Sequence, residues 1–502
     1  MELVLGIDLA TSGAKCVVMD AKAKVLSVAF TPYALDTSEQ GKAEQNPEEW
    51  WLATCASIIR ALKQSNQDPK NVRGIGLSGQ MHGLVTLNTT GKVIRPAIIW
   101  LDSRSIPQCA RLKESIGESA IANMTCNVPL AGFTSPKLLW LRDNEPESYE
   151  QIANILLPKD YIRFRMTGTI ATDVSDASGT MLFDVVRRTW SEELLELLEI
   201  PLNWLPPAYE SSQIVGMLLP SAARELGISE NIPVIAGAGD QAAAAVAWGA
   251  LSEGVVAANI GSGGIVFITV DSPKVDPNFG VHTFCHAVEG KWRFLGVVQT
   301  AGLALKWFLD SFCREEFDAA RICGLDPYDV LLRKAGNVVQ GCEGLTFLPY
   351  LMGERSPHRN PDARGVFFGM QFHHKKEHFI RAVLEGVAFA MRDCVETVRA
   401  LGVKIDKYNT GSGGGYQGQL WRQIQADIFG DNLTSLDVKE SSATGAGMLA
   451  GFACGMYESL ENAFKSGVAQ RWYTEYDLSS HHQYEENYQL YKQLYINLRS
   501  LF

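Results

Sequence analysis

Residues 5–20 read LGIDLATSGAKCVVMD, and residues 256–271 read VAANIGSGGIVFITVD. With Ile7 set against Ala258 the two stretches lie 251 residues apart, half of a 502-residue chain, and Thr11-Ser12-Gly13 falls on Ser262-Gly263-Gly264. In each stretch a run of β-favouring residues enters a tight turn of Gly, Ser and Thr and leaves as a second such run, which is a hairpin pattern. Small turn residues let backbone N–H groups approach a ligand and hydroxyls add donors, so two facing hairpins of this kind could clasp a polyphosphate. Repetition at half-chain spacing sets the expected domain boundary, one domain over 1–250 and a second over 251–502. The last helix, about 481–502, is left free to pack back on the first domain.

Outward from each hairpin, strand and helix patterns alternate, the mark of a mixed α/β fold. Helices are expected over Glu48–Ser65, Pro136–Arg142, Gln241–Leu251, Thr300–Cys313, Glu377–Leu401 and Gln419–Phe429. Strands are expected over Val72–Ser78, Ile94–Leu101 and Ile405–Thr410, and over the run Ile232–Gly239. Tyr484, Tyr488, Tyr491, Tyr495 and Leu498 share one helical face, a packing stripe.

Composition removes several function classes. Hydrophobic residues make up 46% and charged residues 20%, an ordinary globular balance. The net charge of −11 argues against a nucleic-acid partner, which needs a concentrated basic surface, but leaves phosphorylated small molecules open. The longest nearly apolar stretch, Pro233–Leu251, contains Asp240 and Gln241, so a buried strand and helix is expected there in place of a membrane span. No targeting peptide is expected at the start, and ten cysteines without a CxxC pair fit a reducing cytoplasm. His282, Cys285 and His286 sit on an alternating strand that would split them between faces, so core packing is expected before metal binding.

Candidate chemistry gathers at loops that follow strands. Asp240 stands between an apolar strand ending in glycines and an Ala-rich helix, where it could cap the helix or face a ligand crevice. Asp8 closes the first strand, and the alignment sets it against Asn259 in the second half. A carboxylate there could hold Mg²⁺ or its waters against a phosphate, or simply cap a turn. Gly79-Gln80-Met81-His82-Gly83 concentrates amide, thioether and imidazole groups between glycines. Trp100-Leu101-Asp102-Ser103-Arg104 and Gly353-Glu354-Arg355-Ser356-Pro357-His358 are further polar loops, suited to a ligand or to a surface ion pair.

These residues, with PKDYIRFRMTG at 158–168, TDVSDASGT at 172–180, GAGDQAA at 237–243, LPYLMGERSPH at 348–358 and the Gly-rich stretch at 411–415, give the chain its resemblance to the FGGY carbohydrate kinases. The resemblance covers nearly the whole sequence in motif order, and is strongest to the members that phosphorylate xylulose. It implies two actin-like, ribonuclease-H-like α/β domains with a deep cleft, and ATP-dependent phosphorylation of a ketopentose, D-xylulose, at its terminal hydroxyl. Another sugar or polyol substrate, or a non-catalytic sensor of the same fold, is the alternative. By resemblance Asp240 is the base, Met81, His82 and Gln241 hold the sugar, and Asp8 associates with Mg²⁺. Trp100 and Arg104 join the candidate sugar contacts. Thr11, Ser12 and Gly13 on one side, and Gly261, Ser262, Gly263, Gly302, Gly413 and Gly414 on the other, would meet the nucleotide. The expected partners are a small sugar and ATP, with neither nucleic acid nor membrane, and a homodimer as the assembly considered. Ala10, the GSGG turn, Gln241 and Gly418 depart from the usual family pattern, and the longer Gln241 side chain puts the identity of the substrate most in question.

Overall fold

β-branched and aliphatic runs flank each glycine-bearing turn, and both form hairpins in the computed structural model, which describes residues 1–411 and 413–502. Ser412, in the Gly-rich stretch, lies outside the described residues. In the first half, Leu3–Ala10 (β1) pairs antiparallel with Gly13–Asp20 (β2), and β2 with Val25–Pro32 (β3). On its other side β1 runs parallel to Val72–Gly79 (β4), which runs parallel to Pro233–Ile235 (β5). The second half repeats this order with Val255–Ile260 (β6), Gly264–Val270 (β7), Trp292–Val298 (β8), Lys407–Thr410 (β9) and Leu433–Asp437 (β10). Each sheet therefore runs third, second, first, fourth, fifth strand, an antiparallel meander joined to a parallel trio. Ile214–Met217 extends the first sheet, while His282–Cys285 and Ala469–Thr474 extend the second.

Helices cover the faces in matching places. Pro47–Ser65 (α1) lies on β2 and β3, and Lys376–Ala400 (α4) on β7 and β8. The Asn46 side chain accepts the Glu48 N–H, and Pro47 stands at the first helical position, so α1 begins where local chemistry dictates. Covered on both faces, β1 is buried over seven of its eight residues, and Asp8 is the one charge among them.

Four expectations need correction. The first concerns Asp8. The first turn holds two residues between Ala10 and Gly13, the second three between Ile260 and Gly264. Asp8 stands opposite Lys15 and Ala258 opposite Val266, so the ladder counterpart of Asp8 is Ala258, and Asn259 has slipped by one position. Second, only Ala97–Ile98 of the expected Ile94–Leu101 strand is paired. Pro96 supplies no N–H to a ladder, and Trp100 and Leu101 are already in a turn.

Third, the boundary near residue 250 does part the two sheets, but one helix of the second half does not keep to its side. Ser441–Ala453 (α5), from the second half, packs on β1, β4 and Asp240–Ala247 (α2). Backbone meets backbone there: a Cβ on Gly6 would lie 1.9 Å from the Ala443 carbonyl oxygen, and one on Gly445 1.8 Å from that of Ala243. Fourth, the last helix, Leu478–Leu498 (α6), joins the second domain's core, not the first domain. Its tyrosine stripe is buried, with Tyr491 centred 5.4 Å from the Phe389 ring of α4 and Tyr484 accepting from Arg381 Nη2 at 2.9 Å. No helix among the described residues is long and apolar enough to cross a membrane.

Candidate active site

Asp240 reaches its place through a glycine turn. Gly237 has φ +79°, and a Cβ on it would lie 2.3 Å from the Leu77 carbonyl oxygen, so this step between β5 and α2 admits only glycine. Ala238–Gly239 then pairs with Ser78 and Gly79 of β4, and Asp240 opens α2. Gly239, not Asp240, is the capping residue, and one carboxylate oxygen of Asp240 accepts the Gln241 N–H at 2.7 Å. Burial raises the carboxyl above its usual range, offset in part by Gln241 and by the Arg293 guanidinium.

A cavity of about 430 Å³ opens beside Asp240. Met81, His82, Trp100, Gln241, Ser262 and Arg355 are among the residues that line it. His82 has φ +70°, and its carbonyl accepts from Lys137 Nζ at 2.9 Å, which also donates to Gly132. His82 Nδ1 lies 2.6 Å from the Gly179 carbonyl. A carbonyl only accepts, so Nδ1 carries the proton and Nε2 is left as an acceptor. Burial pushes the His82 imidazole down to about 3, so the ring is neutral near pH 7. Gln241 Oε1 has no partner among the described residues, an orphaned acceptor on a residue of the cavity wall.

A second cavity, about 400 Å³, meets the first at Gly261 and Ser262. Gly302, Gly414, Gly415, Leu332, Tyr328 and Trp421 form much of its wall, a largely apolar slot rich in glycine. A Cβ on Gly414 would meet no heavy atom within 4 Å, whereas one on Gly302 would sit 2.2 Å from the Gly261 carbonyl oxygen. Gly302–Phe312 (α3) begins at the turn, and its Gly302 and Leu303 N–H groups donate to the Gly261 and Ser262 carbonyls. Those donors fix the turn and are not offered to a ligand.

Asp8 is buried, with Ser78 Oγ donating to it at 3.1 Å. Its carboxyl is pushed up to about 7 by burial and then by the charge of Asp240, while Lys15 pulls the other way. Two carboxylates within electrostatic reach, Asp8 buried and Asp240 partly exposed, are both oxygen donors, the chemistry a hard cation such as Mg²⁺ requires.

The structure brings Met81, His82, Trp100, Asp240, Gln241 and Gly263 to the first cavity, Gly302 and Gly414 to the second, and Gly261 and Ser262 to both. Arg104 does not join them. Its guanidinium is bound to Asp102 and Glu44 and stacked 4.2 Å over the Trp140 ring, so it braces a loop and the sugar-contact expectation fails. Thr11, Ser12 and Gly13 line neither cavity. Thr11 Oγ1 accepts from Trp100 Nε1 at 2.9 Å, and a Cβ on Gly13 would lie 2.4 Å from the Phe30 ring. Gly413 packs beneath, its N–H donating to Asn259 Oδ1 at 3.1 Å. His282 lines the first cavity, but Cys285 and His286 turn to the Val185 and Ala250 carbonyls, so the three form no metal site. Glu343, His373 and His374 have ligand atoms within 4.8 Å of one another. Nδ1 of His374 accepts the Gln371 N–H, however, which puts the proton of the neutral ring on Nε2 and leaves no free lone pair for an ion.

Sequence reasoning missed Lys137 and Arg293, and reached Arg355 only as part of the polar loop 353–358. Lys137 is fully buried on the helix Thr134–Asn144, which carries polar and apolar residues alike, so its burial is visible only once that helix is known to be covered.

The N-terminal domain of the FGGY family of carbohydrate kinases matches residues 3–247, and the C-terminal domain of the same family matches residues 256–454. The chain belongs to the FGGY family. Among FGGY kinases it is 36% identical to the xylulose kinase of Bacillus subtilis, over 100% of this chain and 98% of that one. It is 31% identical to the gluconokinase of the same organism, over 91% and 89%. The crystal structure of xylulose kinase from Rhodospirillum rubrum superposes with a TM-score of 0.93 at 27% identity, covering 100% of this chain and 99% of that one. As an FGGY kinase the chain is a phosphotransferase for a carbohydrate, with ATP as the donor the family implies.

Proposed function

We propose that this kinase transfers the γ-phosphoryl group of ATP to the terminal hydroxyl of D-xylulose, with Asp240 as the base. One observation carries the reading: the cavity that holds Asp240, His82 and Gln241 and a glycine-rich slot meet at a single turn, Gly261–Ser262. Phosphoryl transfer asks little covalent chemistry of a protein beyond an aligned hydroxyl, a proton acceptor and stabilised charge. The sugar lies in the first cavity, where Nε2 of His82 accepts one of its hydroxyl protons and Gln241 Oε1 a second. Asp240 takes the proton of the attacking hydroxyl through Oδ2, which holds only a long bond from the Gln241 side-chain amide, 3.3 Å, while Oδ1 keeps the Gln241 backbone N–H. The nucleotide base lies against Tyr328, Leu332 and Trp421, and the phosphates run over Gly414 toward Ser262. Asp8 would hold Mg²⁺ or its waters, and a bound cation supplies charge neutralisation at the phosphates. Ten unpaired cysteines fit a reducing cytoplasm.

A sugar acid is the second reading, and Arg355 favours it. Its guanidinium lines the sugar cavity, and among the described residues no carboxylate lies within ion-pair distance of it; its Nη2 meets only His282 Nε2, at 3.4 Å. Coupled ADP release measured with D-xylulose, D-ribulose, pentitols and D-gluconate separates the readings. Ketopentose turnover with gluconate at background is the expected result. Asp240→Asn should keep the melting temperature and lower kcat by ~10²–10⁴; near-wild-type turnover would remove Asp240 from the mechanism.

A further inference from the structure

The turn Ala236–Gly239, which delivers Asp240, is held by more than its strand pairing. Arg163 Nη1 donates to the Ala236 carbonyl at 2.7 Å, and the Gly237 N–H donates to the Ser211 carbonyl at 3.0 Å. The Gly239 N–H, one bond chain from Asp240, donates to Ser175 Oγ at 3.1 Å. All three holders converge on one ionic cluster. Ser175 Oγ donates to Asp173 Oδ2 at 2.6 Å, and Ser211 Oγ donates to the same oxygen at 2.8 Å. Lys159 Nζ lies 2.9 Å from Asp173 and 2.6 Å from Asp160, whose carboxylate also takes Arg163 Nη1 at 2.9 Å. Lys159, Asp160, Arg163, Asp173, Ser175 and Asp176 are all fully buried, and these are the 158–168 and 172–180 motifs for which the reaction has no direct use.

We propose that Ser175 is a positioning residue for Asp240, its hydroxyl aimed by Asp173 so that a lone pair fixes the Gly239 N–H and with it the first turn of α2. The direction of the bonds supports this. Because the Ser175 proton points to Asp173, the oxygen can only accept from Gly239, and a carboxylate partner strengthens that acceptor. No side chain within the chain's own helix start does the same job, since the capping position is a glycine. A buried ionic cluster is a poor source of stability, and its best-attested use is to fix one geometry. Here the geometry fixed is that of the turn before the carboxylate, and a displacement of the base by ~1 Å costs on the order of 100-fold in rate.

The inference rests on Asp240 being the base, so Asp240→Asn is run beside the new variants. Ser175→Ala should lower kcat ~10–100-fold, leave KM for ketopentose and ATP within about threefold, and keep a cooperative melt. Ser175→Thr, which keeps the acceptor oxygen, should recover most of the lost kcat. Should Ser175→Ala fail to melt cooperatively, Ser175→Cys takes its place, with nearly the same volume and a far weaker acceptor. Wild-type kcat in a folded Ser175→Ala or Ser175→Cys protein overturns the proposal, as does a parallel rise in KM for both substrates. Loss of the cooperative melt in both variants also overturns it, since Ser175 would then be needed for folding alone. An inactive Asp240→Asn with a fully active Ser175→Ala sinks the positioning role while sparing the base, and an active Asp240→Asn sinks the reading beneath both.

Discussion

Gly414→Val tests the nucleotide slot with little interference from folding. The new Cβ meets no heavy atom within 4 Å and projects from a residue that lines the 400 Å³ cavity, so the free protein has no contact to lose. Its stability should stay within about 0.5 kcal/mol of wild type. A nucleotide lying over Gly414 would meet the isopropyl group as an overpacked core meets an added side chain, at a cost of ~1–3 kcal/mol. At ~1.4 kcal/mol per decade that weakens ATP binding ~5–150-fold. Gly302→Ala is the contrasting variant, because its Cβ would lie 2.2 Å from the Gly261 carbonyl oxygen and must disturb the turn itself. Calorimetry with a non-hydrolysable ATP analogue and with the sugar, beside melting curves on the same preparations, resolves the two effects. Gly414→Val should lose nucleotide affinity at unchanged melting temperature and sugar affinity, and Gly302→Ala should lose melting temperature as well. Nucleotide affinity within twofold of wild type in a folded Gly414→Val protein refutes the placement of the phosphates over this glycine.

Two further outcomes follow from buried charges. Lys137→Met removes the donor to the His82 carbonyl, so KM for the sugar should rise about tenfold while ATP affinity holds; an equal loss for both ligands would assign Lys137 to global packing. Glu354 accepts the Gln299 and Arg355 N–H groups, and its carboxyl is pushed up to about 8 from a usual 4.5 by burial. Between those values the folded protein binds more protons at this site than the unfolded chain, so the contribution of Glu354 to stability is full below pH 4.5 and is lost as pH rises through 8. Glu354→Gln should flatten this fall by up to ~1.4 kcal/mol per pH unit, and urea melts at pH 5, 6, 7 and 8 that show parallel slopes for both proteins would contradict the assignment.

The sequence by itself determined the repeat and the reaction class. Hairpin turns, strand runs and amphipathic helices are local features, set by residues a few positions apart, and β1 with β2 and β6 with β7 follow from them directly. Asp240 was legible for a similar reason, as a carboxylate between a glycine-ended strand and an Ala-rich helix. What lay beyond reach depended on partners distant in the chain. Arg104 looked like a ligand group until Glu44 and Trp140 came to it. Asn259 looked like the counterpart of Asp8 until one extra turn residue shifted the ladder. Gly6 and Gly445 gave no sign that α5 crosses to the first sheet, because the need for glycine there comes from another backbone, not from a turn. The site itself is of that second kind. Asp240 and Ser175 lie 65 positions apart, and Ser262 and Gly414 more than twice as far, so only tertiary packing, which selects among many locally equivalent loops, decided which of them meet.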